Sequence, residues 1–305
     1  MDNWGIIGHQ SAISFLDKGL SQNKLAHAYL FYGPPNLGKT AVAEALALKV
    51  LGSNELLLTN LLKLETLPDK KDIGIEQVRE FCRSLFLKSF SDHYKIGIIY
   101  EAEKLNQESA NALLKTLEEP APKTLLIIVS SAWQNLLSTV ISRCQAVKFL
   151  PVASAELYQG IQDKAEDANT ARQIVDWCGG RPGLALKLAQ DQEFYQEFAA
   201  SRDLLTQVLN QDLPGRFKIA ENLLEKIDEA RQKVLAAEDL LAHLEIYLRQ
   251  KLKQNVGQID YAQAGRPSWP IPKILSLFDL IKQTREQLYF NVSPRLLLEN
   301  VFINL

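Results

Sequence analysis

The stretch GPPNLGKT at residues 33–40 is the clearest chemical signal in the sequence. It fits the pattern G-x-x-x-x-G-K-[ST], in which backbone N–H groups wrap phosphates, the lysine reaches the outer phosphates and the hydroxyl ligates Mg²⁺. An apolar run precedes it and an alanine- and leucine-rich run follows it, as strand, loop and helix require. A chance match would be only a turn that leads into a helix. The residues predicted to bind a nucleotide are Gly33, Pro34, Pro35, Asn36, Leu37, Gly38, Lys39 and Thr40.

A second apolar run, KIGIIY, ends in Tyr100 and is followed by Glu101 and Glu103. In a P-loop ATPase the end of such a strand supplies carboxylates for Mg²⁺ and for the attacking water. A neutral phenol cannot replace a metal-binding carboxylate. Two interpretations stay open: Glu101 is the residual acid of a weakened site, or Tyr100 only packs at the strand end and Glu103 supplies the acid.

Bulk composition excludes several classes of protein. The 34 basic and 36 acidic residues give a net charge of −2, which offers no general attraction to nucleic acid or anionic membranes. The three cysteines, Cys82, Cys144 and Cys178, stand far apart, and the four histidines lack metal-site spacing, so we expect neither disulfides nor zinc. The start carries no secretion signal, and no apolar stretch approaches the roughly 20 residues of a membrane span. We expect a soluble, cytoplasmic protein without a membrane partner.

The order of predicted elements indicates an α/β domain followed by helical units. Apolar strand patterns at 27–32, 95–100 and 124–131 alternate with helical patterns, which predicts a mostly parallel sheet covered on both faces. Residues 53–72 read as irregular. From about Pro151 onward the pattern is helical, with long amphipathic stretches at 216–254 and 272–289 and a last helix near Ser293. The predicted domains are 1–150, 151–192 and 193–305.

Several segments together resemble the clamp-loader branch of the AAA+ ATPases, and within it the bacterial δ′ family. The resemblance rests on HAYLFYGPPNLGKT, on ANALLKTLEEP and on the triplet Ser142-Arg143-Cys144. It covers about residues 5–150, is weaker in GGRPGLALKLA and returns in NVSPRLLLENVFINL. It implies an AAA+ P-loop domain at 1–150, a small helical lid at 151–192 and an all-helical oligomerisation collar at 193–305.

The resemblance also marks two departures from an active ATPase. The strand before ANALLKTLEEP normally ends in Asp-Glu, where this chain has Tyr100-Glu101. The arginine of the lid that senses the γ-phosphate is replaced by Gly183, with Arg181 nearby. Losing a preorganised charge typically costs about 10²–10³ in rate. The expected cofactor is therefore ATP or ADP with weakly held Mg²⁺, little hydrolysis, and Glu101 as a residual Walker B acid.

Arg143 is intact in its triplet, and the resemblance implies that it acts in trans on a neighbouring ATPase subunit, where such a finger is worth about 10³–10⁵ in rate. An isolated arginine would otherwise be a solvated surface residue. The implied partners are clamp-loader ATPase subunits and a clamp-opening subunit in a hetero-pentamer, with the sliding clamp and primer-template DNA reached through the complex. The four-cysteine zinc module of many δ′ members has no counterpart, since residues 53–72 contain no cysteine.

Two rival functions stay open from the sequence. The first is an active ATPase of the same branch, in which Glu101 and Glu103 share the metal. The second is a stand-alone DNA-remodelling ATPase, which the changed motifs at Tyr100 and Gly183 weaken.

Overall fold

A computed structural model describes residues 4–52, 54–67, 70–86, 93–257, 269–288 and 292–305. The chain forms two compact units. The first comprises Met1–Asp163 and Gly180–Leu186, and the second comprises Lys164–Gly179 and Lys187–Leu305. The division into domains at 150 and 192 stays a prediction.

The first unit is built on a five-stranded parallel sheet with strand order β2-β3-β4-β1-β5. The strands are β1 (Ala28–Tyr32), β2 (Leu61–Leu64), β3 (Lys95–Ile99), β4 (Thr124–Ser130) and β5 (Gln145–Lys148). Because β1 lies between β4 and β5, the loop that follows it emerges where the strand order changes direction. In open parallel sheets this edge is where ligands bind.

Helices cover both faces of this sheet, as the predicted α/β class requires. They are α1 (Gln10–Ser21), α2 (Lys39–Leu51), α3 (Asn54–Asn60), α4 (Ile75–Phe86), α5 (Gln107–Glu118), α6 (Ser138–Ile141) and α7 (Ser154–Ile161). Successive strand residues point to opposite faces: Leu30 and Ile128 pack with α4 and α5, whereas Phe31 and Ile127 pack with α1 and α2. The central strand β4 is buried along its whole length.

Two of the five strands were absent from the sequence prediction. Residues 53–72 were expected to be irregular, but α3 and β2 occupy 54–64. The strand β2, with sequence LLKL, has no β-branched residue and is fixed by its register with β3, from Leu61 opposite Ile96 to Leu64 opposite Ile99. The strand β5 is exposed at three of its four residues, so it gives little apolar signal, and pairing with β1 defines it.

The second unit is helical. Its helices are α8 (Ala168–Cys178), the second half of α9 (Pro182–Gln190), α10 (Gln192–Asn210), α11 (Leu213–Glu225), α12 (Ala230–Gly257), α13 (Ile271–Leu288) and α14 (Pro294–Ile303). Aspartate caps begin three of them, because Asp167, Asp191 and Asp212 each accept a backbone N–H in the first turn. Leucines from α10 to α14 form one core.

The helical boundaries agree with the sequence except at one point. Gly179 and Gly180, with φ of 59° and 84°, directly follow α8, and α14 begins at Pro294 as expected. The prediction of one amphipathic stretch at 216–254 is wrong, because residues 226–229 are not helical and separate α11 from α12. In the described part of the chain, no helix is both long and apolar enough to cross a membrane.

Candidate nucleotide site

The loop between β1 and α2 has the backbone shape of a phosphate cradle. Gly33, Asn36 and Gly38 have φ values of 145°, 62° and 88°, in a region where glycine is unstrained and asparagine is tolerated. A Cβ on Gly33 would lie 2.4 Å from the carbonyl oxygen of Phe149, whereas a Cβ on Gly38 would meet no atom within 4 Å. At Gly33, a side chain would collide with Phe149. At Gly38 there is room for a side chain, and glycine is favoured only because of its left-handed φ.

Lys39 is folded into this loop and is only 5% exposed. Its ammonium donates to the carbonyl oxygens of Gly33 and Pro34, both at 2.6 Å, and to the hydroxyl of Ser131 at 3.1 Å. These three bonds use all three donors of the side chain. Burial lowers the pKa of Lys39 to about 8, although the nearby charge of Glu103 raises it. A phosphate must therefore compete with two backbone carbonyls for this cation.

A cleft of about 430 Å³ opens beside Lys39, which is within the usual size range of small-molecule sites. It is lined by the loop from Pro35 to Thr40, the first turns of α2, the ends of β3 and β4, and Gly183. Six of the eight predicted nucleotide-binding residues line it. The other two, Gly33 and Pro34, contribute through their carbonyl contacts with Lys39.

Tyr100 lines the cleft at the end of β3 and belongs to a small network. Its hydroxyl donates to Oε1 of Glu44 at 2.9 Å, and the ammonium of Lys63 donates to the same oxygen at 2.7 Å. Burial raises the pKa of Tyr100, as does Glu44, so the phenol stays protonated at neutral pH. The residue that replaces the expected aspartate is thus a hydrogen-bond donor to another acid.

The two acids proposed from the sequence lie in different surroundings. The strand ends at Ile99 and Glu101 has a left-handed φ of 46°, so the alternating faces of a strand do not extend to Glu103. Glu101 lines the cleft but is exposed and pairs with Lys104 at 2.8 Å. Both carboxylate oxygens of Glu103 lie 3.1 Å from the backbone nitrogen of Ser131 and accept its N–H. Glu103, and not Glu101, is the acid whose charge acts on Lys39.

The segment that carries the changed lid motif closes directly on the loop. The N–H of Gly183 donates to the carbonyl oxygen of Asn36 at 2.9 Å. A Cβ at Gly183 would lie 3.0 Å from that oxygen, so a larger residue does not fit without a shift of the loop. Arg181, which stands two residues before Gly183, is 8% exposed and close enough to lower the pKa of Lys39.

Arg143 lies in the turn between α6 and β5 and is not among the residues that line the cleft. It comes just before β5, a strand that the sequence did not predict. Its guanidinium pairs with Glu118 at 2.7 Å and donates to the carbonyl oxygen of Thr139 at 2.9 Å. Its side chain is 35% exposed.

Sequence reasoning missed Glu44, Lys63 and Glu118 as parts of these arrangements. Glu44 stands four residues after Thr40 on α2, and this helical spacing alone places both on one face. Glu118 ends α5 two residues before Pro120, where an acid is expected simply as the polar end of a helix. For Lys63 no signal existed, because the strand that carries it was not predicted.

Comparison with known proteins gives a consistent relationship. Residues 8–153 match the family described as "DNA polymerase III, delta subunit". DNA polymerase III subunit delta′ of Pseudomonas aeruginosa is 34% identical over 184 residues, which is 53% of this chain and 56% of the relative. Over nearly half of its length, this chain is similar to the δ′ subunits of bacterial DNA polymerase III. Subunit delta′ of Haemophilus influenzae is 32% identical over 204 residues, 61% of this chain and 60% of the relative.

In both cases the match spans less than two thirds of the relative's length. A solved structure extends the likeness over the whole fold: the gamma subunit-related protein of DNA polymerase III from Thermotoga maritima aligns with a TM-score of 0.50, covering 94% of this chain and 97% of that chain. At 18% identity this supports the fold alone. The chain has a parallel α/β unit whose P-loop sequence joins β1 to α2, and a helical C-terminal region, as the sequence predicted.

Proposed function

We propose that this chain is a δ′-like subunit of the DNA polymerase III clamp loader. In this role it supports ATP-dependent loading of the sliding clamp onto primed DNA and hydrolyses little or no ATP itself. The observation that carries the proposal is the hydrogen bond of Tyr100 to Glu44 in a chain that keeps Lys39 and Thr40. Similarity to δ′ subunits of two bacteria supports the choice of subunit.

The proposed loss of hydrolysis follows from the groups around the cleft. An acid that activates water must face the γ-phosphate, but Glu101 is exposed and paired with Lys104. The arginine position of the lid is Gly183, whose backbone is bonded to the loop. Each missing preorganised group typically costs about 10²–10³ in rate. Together, these losses would make the rate of ATP hydrolysis negligible.

The proposed role of Arg143 is to complete the ATP site of a neighbouring subunit. A guanidinium fork suits phosphate oxygens, and this one is partly exposed. Its pair with Glu118 involves side chains that are 35% and 50% exposed, so the pair is weak and can be exchanged for a phosphate. The proposed partners are clamp-loader ATPase subunits and a clamp-opening subunit, with clamp and primer-template DNA reached through the assembled cytoplasmic complex.

The test is reconstitution with the clamp-loader ATPase and clamp-opening subunits of the same organism. We expect the chain to co-elute with them in gel filtration and to show negligible ATP turnover when alone. Brisk turnover in isolation would favour the active-ATPase alternative, and failure to assemble would reject the subunit role.

The finger is tested separately in the reconstituted complex. Arg143→Ala is expected to leave assembly intact and to lower turnover at the neighbouring site by about 10³. Arg79→Ala is the matched control, because Arg79 is exposed on α4 and pairs with Glu76, three residues away on the same helix. An unaltered rate in Arg143→Ala would remove Arg143 from catalysis.

A further inference from the structure

We infer that this cleft binds the phosphates of a nucleotide without a divalent cation. The inference rests on the proposed nucleotide site and adds to it the chemical form of the ligand, a metal-free nucleoside di- or triphosphate. It differs from the weakly held Mg²⁺ expected from the sequence, and the reason lies in how the acids near the loop are used.

Mg²⁺ in nucleotide sites is bound by one or two protein carboxylates together with phosphate oxygens and water. The P-loop supplies Thr40, which is exposed at the start of α2. In the described part of the first unit, three acids approach the loop or its cleft, namely Glu44, Glu101 and Glu103. Each already accepts hydrogen bonds from other groups of the protein.

Glu44 has the best position for a metal ligand, one helical turn after Thr40. Its Oε1 accepts from both the hydroxyl of Tyr100 and the ammonium of Lys63. A divalent cation at this oxygen would have to displace both donors and would then stand beside the positive charge of Lys63. The charge of Glu44 is thus neutralised by Lys63, and Tyr100, which stands in place of the expected aspartate, adds a second donor to the same oxygen.

The other two acids are committed elsewhere. Glu103 uses both oxygens on the backbone N–H of Ser131, and a metal would leave that donor without its acceptor. Glu101 has a left-handed backbone, and its carboxylate pairs with Lys104. The arrangement around Thr40 thus does not fit Mg²⁺ held by carboxylates.

The phosphates, in contrast, meet positive charge in this cleft. Lys39 lines the cleft, and the buried Arg181 lies outside the lining but close enough to lower the pKa of Lys39. The space beside Gly38 is open, and Gly38 immediately precedes the first turn of α2, where free N–H groups favour phosphate oxygens. In the proposed site, Lys39 and these N–H groups supply the charge neutralisation that Mg²⁺ provides in an active ATPase.

The test is calorimetric titration of the full chain with ADP, once in excess MgCl₂ and once in excess EDTA. Coupling between two ligands typically changes affinity by about 5–150-fold, so a metal-dependent site would bind ADP at least about fivefold more weakly in EDTA. We expect the two dissociation constants to agree within about twofold. A ratio of about five or more overturns the inference, and so does an absence of binding in both buffers. Neither result bears on the proposed role as a clamp-loader subunit, because the reconstitution experiment tests that role separately.

Variants at Tyr100 test the stated cause. Tyr100→Asp restores a carboxylate, and Mg²⁺ is then expected to strengthen ADP binding by about fivefold or more. Tyr100→Phe removes the hydroxyl without adding charge and is expected to stay independent of the metal, because Lys63 still neutralises Glu44. A folded Tyr100→Asp protein that ignores Mg²⁺ would overturn the explanation. If it does not fold, the wild-type titrations and Lys63→Met, expected to gain metal dependence through the freed Glu44, decide the question.

Discussion

The P-loop side of the cleft and the side formed by the end of β3 use their polar groups differently. On the P-loop side, the ammonium of Lys39 donates to two carbonyl oxygens and one hydroxyl. Water or a phosphate can take the place of each of these acceptors. On the β3 side, Tyr100 and Lys63 converge on one oxygen of Glu44, which closes a network between side chains. Under the proposed function, phosphate binding would depend on the first set of residues and metal-dependent hydrolysis on the second, so the second could change while the loop stays intact.

The largest expected effect concerns the backbone of the P-loop side. In Gly33→Ala the added Cβ would lie 2.4 Å from the carbonyl oxygen of Phe149, whose N–H is tied to Tyr32. We expect a loss of about 3 kcal/mol or more in unfolding free energy, measured by urea denaturation. Gly38→Ala is the matched control, with strain from its φ alone and a loss of about 1–2 kcal/mol. Equal losses would show that the contact with Phe149 is unimportant.

The next effect separates binding from stability at Lys39. Lys39→Met is expected to weaken ADP binding, measured in EDTA, by about 10- to 100-fold, because hydrogen bonds to charged groups contribute about 1.5–3 kcal/mol. The unfolding free energy should change by less than about 1 kcal/mol, since three lost hydrogen bonds are offset by the removal of a buried charge. Lys115→Met, on the exposed face of α5, should change neither quantity. Undiminished ADP binding in Lys39→Met would place the ligand elsewhere.

A pH titration sharpens the same comparison with a smaller effect. Burial lowers the pKa of Lys39 to about 8 from 10.5, so the free protein loses this charge above pH 8, and ADP affinity is expected to fall by up to about tenfold per pH unit. The contribution of Lys39 to stability runs the other way. Because the pKa of Lys39 is lower in the folded state than in the unfolded state, the charged group destabilises the fold below pH 8. The unfolding free energy therefore rises as the pH rises from 8 toward 10.5.

Two measurements check this sign. ADP affinity should fall from pH 8 to pH 9, the range in which Lys39 of the free protein loses its proton. Over the same range the unfolding free energy of the wild type should rise relative to Lys39→Met. Tyr100 does not interfere, because burial raises its pKa and it stays neutral. An ADP affinity that is flat across pH 8 would contradict the role of Lys39 as the phosphate-binding cation.

The smallest effect concerns the resting contact of Arg143. Glu118→Gln removes the charge from a pair whose side chains are 35% and 50% exposed, so we expect the unfolding free energy to change by less than about 1 kcal/mol. In the reconstituted complex the turnover rate should stay within about twofold of the wild type, because Thr139 still holds the guanidinium. A fall as deep as that expected for Arg143→Ala would instead show that Glu118 positions the arginine.

The sequence by itself determined the central strands, the loop and the helical C-terminal region. The apolar patterns of β1, β3 and β4 predict strands without any tertiary information. The pattern GPPNLGKT likewise predicts a loop between a strand and a helix from its own residues. Asp167 and the glycines at 179 and 180 mark the ends of α8 through local backbone chemistry. These features depend on residues close in the chain, which is why the pattern was sufficient.

Only the tertiary structure decided what the changed motifs do. Strands β2 and β5 exist because a parallel neighbour supplies their hydrogen bonds, and Lys63 reaches Glu44 only through β2. The contact of Gly183 with Asn36 joins residues far apart in sequence, and a Cβ at Gly183 would lie 3.0 Å from the carbonyl oxygen of Asn36, so a side chain there requires a shift of the loop. The sequence identified Tyr100 as a missing aspartate. The fold shows that its hydroxyl holds Glu44, because side-chain partners across a sheet edge are fixed by packing and not by spacing along the chain.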